Sequence, residues 1–230
     1  MKRLVLLGEG HGEVSALPVL VRRLLKEKDP GNLLFVDSDV IRTPPSHLVK
    51  WNKAAQQPDY SEWIKRLSLA ARRGNVGGVL AVFDGDLPHF PAGSAASFCA
   101  ATAAKSMAAA AVSSGAGKVL SLSVVFACSE YETWLVAGAE SLAGRKLADG
   151  RLALPPNVQF PVGDPESHGK GWLEQNCPSY RPTRDQMALT ELLDFQVVRA
   201  SHLRSFQRLE HAIEQLLEAV AGGSHIATPG

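Results

Sequence analysis

The sequence predicts an α/β protein with a mostly parallel, four-stranded sheet flanked by helices. Three observations support this prediction. Four short apolar stretches resemble strands that are buried on both faces, stretches with one apolar helical side separate them, and Gly- or Pro-rich turns lie between the two kinds of segment. Strands that alternate with helices are typical of right-handed β–α–β crossovers, which place successive strands in parallel.

The first 143 residues supply all four predicted strands. We place these strands at residues 3–7, 33–41, 79–83 and 118–128. The helices that accompany them are predicted at residues 14–28, 60–73, 94–113 and 131–142. Helical spacing of leucine and valine supports the first helix, and alanine content supports the third.

The last third of the chain is different in character. From residue 144 it is loop-like and rich in proline, and it then becomes helical and more basic, with helices predicted at residues 172–175, 186–193 and 201–221. We therefore divide the chain into an α/β domain (1–143), a loop and helical C-terminal extension packed on it (144–221), and a flexible tail (222–230).

Composition restricts the class of protein. The 230 residues are 45% hydrophobic, which is enough to supply a substantial core. The 24 Lys and Arg residues nearly balance the 23 Asp and Glu residues, so net charge neither requires nor excludes a polyanionic partner. Three cysteines without a CxxC pair argue against a disulfide framework or a zinc site, and the amino-terminal apolar run is too short for a signal peptide. We expect a cytoplasmic protein without a membrane segment.

Acidic residues follow three of the predicted strands. Glu9 follows the first strand, Asp84 and Asp86 follow the third, and Glu130 and Glu132 follow the fourth. The carboxyl ends of parallel strands meet at one edge of the sheet, where α/β proteins bind ligands. Carboxylates gathered there would repel one another unless a cation compensated their charge, and oxygen donors favour Mg²⁺. The sequence thus predicts a site for one or two Mg²⁺ ions, the alternative being acids spread over solvated loops.

The order of several motifs resembles a known family. The motifs are Glu9-Gly10-His11-Gly12-Glu13, Asp84-Gly85-Asp86, Glu130-Tyr131-Glu132-Thr133-Trp134, Tyr180, Asp185-Gln186, and Ser205-Phe206 with Arg208. This arrangement resembles the Toprim domain of topoisomerases, primases and OLD-family nucleases. It is more similar still to bacterial Toprim-like proteins of the DUF4276 type, which are allied to the RloB proteins and often encoded beside ATPases.

The resemblance implies a Toprim-like, Rossmann-like fold and a role for each acid. Glu9 would act as general acid or base near the reacting phosphate and is also a candidate metal ligand. By the same likeness, Asp84 and Asp86 would hold Mg²⁺, or Mn²⁺ in its place. The further ligand would be Glu130, with Glu13 or Glu132 in support. His11 could assist proton transfer, although a solvated loop histidine is the simpler interpretation.

Basic residues concentrate in the last third of the chain. Arg181, Arg184, Arg204 and Arg208 are candidates for contacts with a nucleic-acid backbone, although a basic face is more often simply solvated. Lys170 lies in a Gly-Lys-Gly loop and is a candidate for stabilising transition-state charge.

Our leading hypothesis is a Mg²⁺-dependent phosphoryl-transfer enzyme of Toprim type, a nuclease that cleaves DNA or RNA. The resemblance further implies an ABC- or AAA-type ATPase partner and a role in phage defence, and it leaves homo-oligomerisation open. Two alternatives remain: a catalytically silent module that binds nucleic acid or a partner protein, and a phosphatase or transferase for small molecules. A dinucleotide site is disfavoured because the third glycine of its fingerprint would fall at Glu13.

Overall fold

A parallel sheet with helices on both faces forms the core of the molecule. The computed structural model describes residues 1–44, 48–161 and 169–229. In chain order the strands are β1 (Lys2–Gly8), β2 (Leu34–Val36), β3 (Ile41–Arg42), β4 (Lys50–Asn52), β5 (Gln57–Asp59), β6 (Val76–Asp84), β7 (Leu122–Ala127) and β8 (Ala227–Pro229). The α-helices are α1 (His11–Lys28), α2 (Ser61–Ala71), α3 (Ala100–Ala111), α4 (Tyr131–Ala137), α5 (Lys170–Asn176), α6 (Pro182–Leu192), α7 (Phe195–Ala200) and α8 (Arg204–Ala221).

The strand order is β2-β1-β6-β7-β8, with β3 also paired to β1, and all of these pairings are parallel. The described residues therefore place six strands in this sheet, whereas the sequence predicted four. One difference is that the predicted second strand is divided between Val36 and Ile41. Asp37 lies in that gap: its backbone N–H still donates to Leu4 O at 2.9 Å, and its side chain pairs with Arg3 and Arg73.

Alternate strand residues face two separate apolar cores. On one face Leu4, Leu80 and Val125 pack among residues of α1 and α8. On the other face Val79 and Phe83 pack among residues of α2 and α3. Because both faces are covered, the strands appear in the sequence as continuous apolar runs. Since α8 lies beyond residue 144, the C-terminal extension supplies part of one helical layer, while the domain boundary itself stays a prediction.

The carboxyl-terminal segment contains a strand that the sequence did not predict. Within residues 222–230, which were predicted to be a flexible tail, Ala227–Pro229 forms β8 beside β7, with Leu122 opposite Ala227. Gly223 has φ +63° after the end of α8, which lets the chain turn back towards the sheet. Gly230 lies outside the described residues.

Two loop regions border the carboxyl edge of the sheet. The β4–β5 hairpin, which the sequence did not predict, is joined to the loop after β6 by a hydrogen bond from Trp51 N to Ala92 O. The helix predicted from residue 94 begins only at Ala100. Phe90 and Phe98, which lie in the loop before this helix, pack against Phe126 of β7. These contacts outweigh the helix propensity of the alanines that precede Ala100.

Within the described ranges, no helix combines the length and the apolar character needed to cross a bilayer.

Candidate functional site

Glu9 and Asp84 lie together at the carboxyl edge of the sheet. The strands β1 and β6 are neighbours, with Leu7 opposite Ala81, so both chains leave the sheet at the same edge. Glu9 follows β1 directly, and Asp84 is the last residue of β6. The backbone N–H of Asp84 donates a hydrogen bond to Glu9 Oε2 at 3.1 Å. The structure therefore brings together the acids that follow the first and third predicted strands.

The acids after β7 adjoin the same place. Asp84 lies opposite Ala127 in the β6–β7 ladder, and its Oδ1 accepts a hydrogen bond of 2.8 Å from the backbone N–H of Tyr131. Tyr131 opens α4, directly after Glu130. Glu132 is the next residue of that helix, and only 3% of its surface is exposed.

Glu13 approaches the group from the first turn of α1. Its side chain is largely buried and accepts a hydrogen bond from the backbone N–H of Gly10, which caps the helix start. Gln186 on α6 donates from Nε2 to Glu13 Oε1 at 3.4 Å. Gly12 makes this approach feasible, because a Cβ at that position would lie 1.9 Å from Gln186 Oε1.

Burial and mutual repulsion shift the ionisation of these acids. Burial, reinforced by the charges of Glu13 and Asp86, raises the pKa of Glu9 to about 7 in spite of the hydrogen bond from Asp84. Burial also raises the pKa of Asp84 well above its usual value, and the charges of Glu13, Glu9 and Glu132 add to this effect. These carboxyl groups thus lie close enough to oppose one another's ionisation.

Glu132 shows the same behaviour. Burial raises the pKa of Glu132 to about 7, and the charge of Glu130 contributes to the increase. The hydroxyl group of Tyr180 donates a hydrogen bond of 3.0 Å to Glu132 Oε1. Glu132 therefore keeps its proton up to about pH 7 unless positive charge is brought close to it.

The site offers carboxylate oxygens, which are the donors that a hard divalent cation prefers. Burial and neighbouring acids oppose the ionisation of these groups, so bound positive charge would be favourable there. The oxygens do not converge on one point: residues 1–44, 48–161 and 169–229 contain no group of three His, Cys, Asp or Glu side chains placed to hold a metal ion. Glu9, Glu13 and Asp84 each accept from a backbone N–H instead. Each carboxylate keeps further lone pairs for a cation, but coordination would require the oxygens to move closer together.

Comparison with known proteins identifies the family of the chain. The family model described as "Domain of unknown function (DUF4276)" matches residues 8–214. The chain belongs to the DUF4276 family. The match begins one residue before Glu9 and ends within α8, so it includes every acid discussed above. Searches of curated proteins and of solved structures gave no significant match to this DUF4276 chain.

Two predicted ligands of the DUF4276 chain lie at the margin of the group. Asp86 is exposed, and it reaches the group through its effect on the pKa of Glu9. Glu130 precedes α4, and its Oε1 accepts a hydrogen bond from the backbone N–H of Lys170. Gly169 permits this contact, because a Cβ there would lie 2.3 Å from Glu130 Oε1.

The ammonium group of Lys170 lies beside a surface acid, whereas the backbone of Lys170 contacts one of the predicted ligands. Its backbone, rather than its ammonium group, contacts Glu130. The Nζ atom lies 4.0 Å from Glu174 Oε1, four residues along α5, and about half of the lysine side chain is exposed. The structure therefore pairs this ammonium with a surface carboxylate, and the role of Lys170 in catalysis stays a prediction.

The four candidate arginines separate into two groups. Arg184 donates to both carboxylate oxygens of Asp185, which is fully buried and also binds Arg151. The backbone N–H of Arg181 donates to the same carboxylate. Arg184 thus has a structural partner, whereas the other group, at the start of α8, borders a pocket.

Polar residues of α4 and α6 complete the surroundings of the acids. The sequence placed Tyr180 and Gln186 within family motifs but gave them no role, and the structure shows them hydrogen bonded to Glu132 and Glu13. The hydroxyl groups of Tyr131 and Thr190 lie 2.9 Å apart in the same buried layer. In the sequence, these residues are distinguished only by being polar at positions that face the core. His11 opens α1 and is exposed.

Proposed function

We propose that this DUF4276 chain is a Mg²⁺-dependent phosphoryl-transfer enzyme, a nuclease that cleaves DNA or RNA. The observation that carries the proposal is the contact between Glu9 and Asp84, two acids with raised pKa values at the carboxyl edge of a parallel sheet. A divalent cation would compensate the charge that these groups cannot readily carry alone. When bound, Mg²⁺ supplies charge compensation and polarisation of a phosphoryl oxygen.

The chain's own residues would divide the work. Asp84, Glu132 and the exposed Asp86 would provide oxygen donors for the cation, with Glu130 and Glu13 at either side. Glu9 would act as general acid or base: burial raises its pKa to about 7 in the metal-free site, and a cation bound beside it would favour the ionised form that accepts a proton.

This proposal also includes what the resemblance of the motifs implies: the Toprim assignment, the relationship to RloB and OLD proteins, the ATPase partner and the role in phage defence. A cytoplasmic location belongs to it through the cysteine pattern.

A second candidate function is a silent Toprim-like module that binds nucleic acid or a partner protein. The hydrogen bonds from backbone amides to Glu9, Glu13 and Asp84 favour it, because they satisfy the carboxylates without a cation. In that case the acids would stabilise the edge of the sheet rather than take part in chemistry.

A cleavage assay separates the two functions. The wild type would be incubated with single- and double-stranded DNA and RNA in Mg²⁺ or Mn²⁺, beside Asp84→Asn and Glu9→Gln. Glu218→Gln, which removes an exposed acid from the last part of α8, is the matched control. We expect cleavage of at least one polymer, a loss of about 100-fold or more in the two site variants, and no loss in the control. Cleavage that survives both site substitutions would contradict the proposal, and binding without cleavage would favour the module.

A further inference from the structure

A pocket lined by two arginines lies between α3 and α8, at the outer side of β7. Its volume is about 180 Å³, and its walls include Cys99, Phe126 and Cys128 as well as Arg204, Ser205 and Arg208. β8 pairs with β7 only over Leu122–Val124, so the end of β7 faces this pocket. Arg204 and Arg208 are the charged side chains that line it in the part of the chain the structure describes.

Neither arginine is paired with an acid of the part of the chain that the structure describes. Within residues 1–44, 48–161 and 169–229, the side chains of Arg204 and Arg208 make no hydrogen bond or ion pair. Other arginines of the C-terminal helices are paired, as Arg184 is with Asp185. Like charges four residues apart on a helix repel each other. Two unpaired guanidinium groups at one pocket therefore favour an anionic ligand.

Backbone dipoles add to the positive potential of the pocket. The 18-residue helix α8 begins at Arg204 and the 12-residue helix α3 begins at Ala100, so two helix N-termini meet there. The thiol of Cys99 responds to these surroundings: hydrogen bonds with Thr102, together with the charge of Arg208, lower its pKa.

The size of the pocket restricts the ligand. A volume of about 180 Å³ is below the roughly 300–1,000 Å³ of typical small-molecule sites. This size suits a compact anionic group such as a phosphate.

The pocket also adjoins the acidic site. The backbone N–H of Gly85 donates hydrogen bonds of 2.7 Å to Ala127 O and Ser129 O, on either side of Cys128. A Cβ at Gly85 would lie 3.2 Å from Cys128 Sγ, and Cys128 lines the pocket. The pocket therefore lies beside the turn that carries Asp84 and Asp86.

We propose that this pocket binds a backbone phosphate of a polynucleotide through Arg204, Arg208 and the first turn of α8. The bound strand then passes over Gly85 towards Asp84 and Glu9. This inference rests on the proposed function, because the ligand that it assigns to the pocket is the substrate of the proposed nuclease. Arg184 and Arg181 are not part of it.

The test is a binding assay in EDTA, so that no turnover occurs. Fluorescence anisotropy would measure the affinity for labelled single- and double-stranded DNA and RNA between about 50 and 200 mM salt. The variant is Arg204→Gln with Arg208→Gln. The control is Arg66→Gln with Arg72→Gln, which removes the same charge from α2 on a different part of the surface. A thermal melt of each variant checks that it is folded.

We expect the Arg204→Gln/Arg208→Gln variant to lose about tenfold in affinity. The slope of log K against log salt should fall in magnitude by about 0.7 for a single strand, because one phosphate is no longer neutralised. Lysine at both positions should keep most of the slope, because it keeps the charge. The Arg66→Gln/Arg72→Gln control should bind as the wild type does.

Unchanged affinity and slope in the Arg204→Gln/Arg208→Gln variant would overturn the inference, as would an equal loss in the control. Stabilisation by inorganic phosphate or a nucleoside monophosphate, without polynucleotide binding, would overturn the assignment of the ligand to a polynucleotide.

The two proposals fail differently: if the nuclease proposal fails, arginine-dependent binding persists without cleavage. If the pocket proposal fails, cleavage continues in the Arg204→Gln/Arg208→Gln variant at the wild-type rate.

Discussion

Replacing Glu132 by glutamine should make the metal-free protein more stable at alkaline pH. Glu132 lies in α4 with 3% of its surface exposed, and it accepts a hydrogen bond from Tyr180. Burial, together with the charge of Glu130, raises its pKa from 4.5 to about 7. Glutamine preserves the shape of the side chain and an oxygen acceptor for Tyr180, but it cannot ionise.

The size and sign of the effect follow from this pKa. The rise from 4.5 to about 7 corresponds to about 3 kcal/mol, at ~1.4 kcal/mol for each pH unit. Because the folded protein holds this proton more tightly, the contribution of Glu132 to stability is complete below pH 4.5 and is lost as the pH rises through 7. The wild type therefore loses up to about 3 kcal/mol that the glutamine variant keeps.

Urea unfolding followed by circular dichroism, in EDTA at about pH 5 and about pH 8, measures this difference. The free energy of unfolding of Glu132→Gln, relative to that of the wild type, should rise by about 3 kcal/mol between the two pH values. Glu174→Gln removes an exposed acid and should follow the wild type. A difference between Glu132→Gln and the wild type that does not change with pH would refute the argument that burial opposes the ionisation of Glu132.

Two further predictions concern the residues that support the site. Gly12→Ala should lower the free energy of unfolding by about 1–3 kcal/mol, because the new Cβ would lie 1.9 Å from Gln186 Oε1 and 3.1 Å from a backbone oxygen. Thermal unfolding would show this loss, while Gly171→Ala, whose Cβ meets nothing within 4 Å, should show none. Asp185→Asn should cost about 3 kcal/mol near neutral pH, because it leaves two arginines without their buried partner. Although burial alone would raise it, the hydrogen bonds from these arginines lower the pKa of Asp185 to about 2, so the stabilisation present above pH 3.8 is lost as the pH falls through 2. Urea unfolding should therefore show the two proteins converging at low pH, and a difference that persists there would contradict the ion-pair explanation.

Much of the sheet could be predicted from the sequence because burial on both faces leaves a strong signal. Continuous apolar runs predicted strands where β1, β6 and β7 occur. The short strands were harder, since β3 and β8 have two and three residues and exist through pairing with a longer neighbour. The β4–β5 hairpin is mostly polar, so its sequence lacks the apolar alternation that indicates a half-buried strand.

The site was predictable where it depends on topology. Because parallel strands share a carboxyl edge, the sequence was enough to expect Glu9 near Asp84. The partners of Lys170 and Arg184 were not predictable in this way. The lysine pairs with Glu174 because α5 begins at Lys170, two residues before the predicted start, and Asp185 is available to the arginine because its side chain is buried beside Arg151.

We propose that the acids after β1, β6 and β7 form a divalent-cation site, and a titration with Mn²⁺ would measure this binding. Electron paramagnetic resonance would count free Mn²⁺ in the presence of the wild type, Asp84→Asn and the Glu218→Gln control. We expect saturable binding by the wild type and the control, with an affinity about 10-fold to 100-fold lower in Asp84→Asn, since that substitution removes a charged oxygen donor. Absence of binding by the wild type, or equal binding by Asp84→Asn, would contradict the claim.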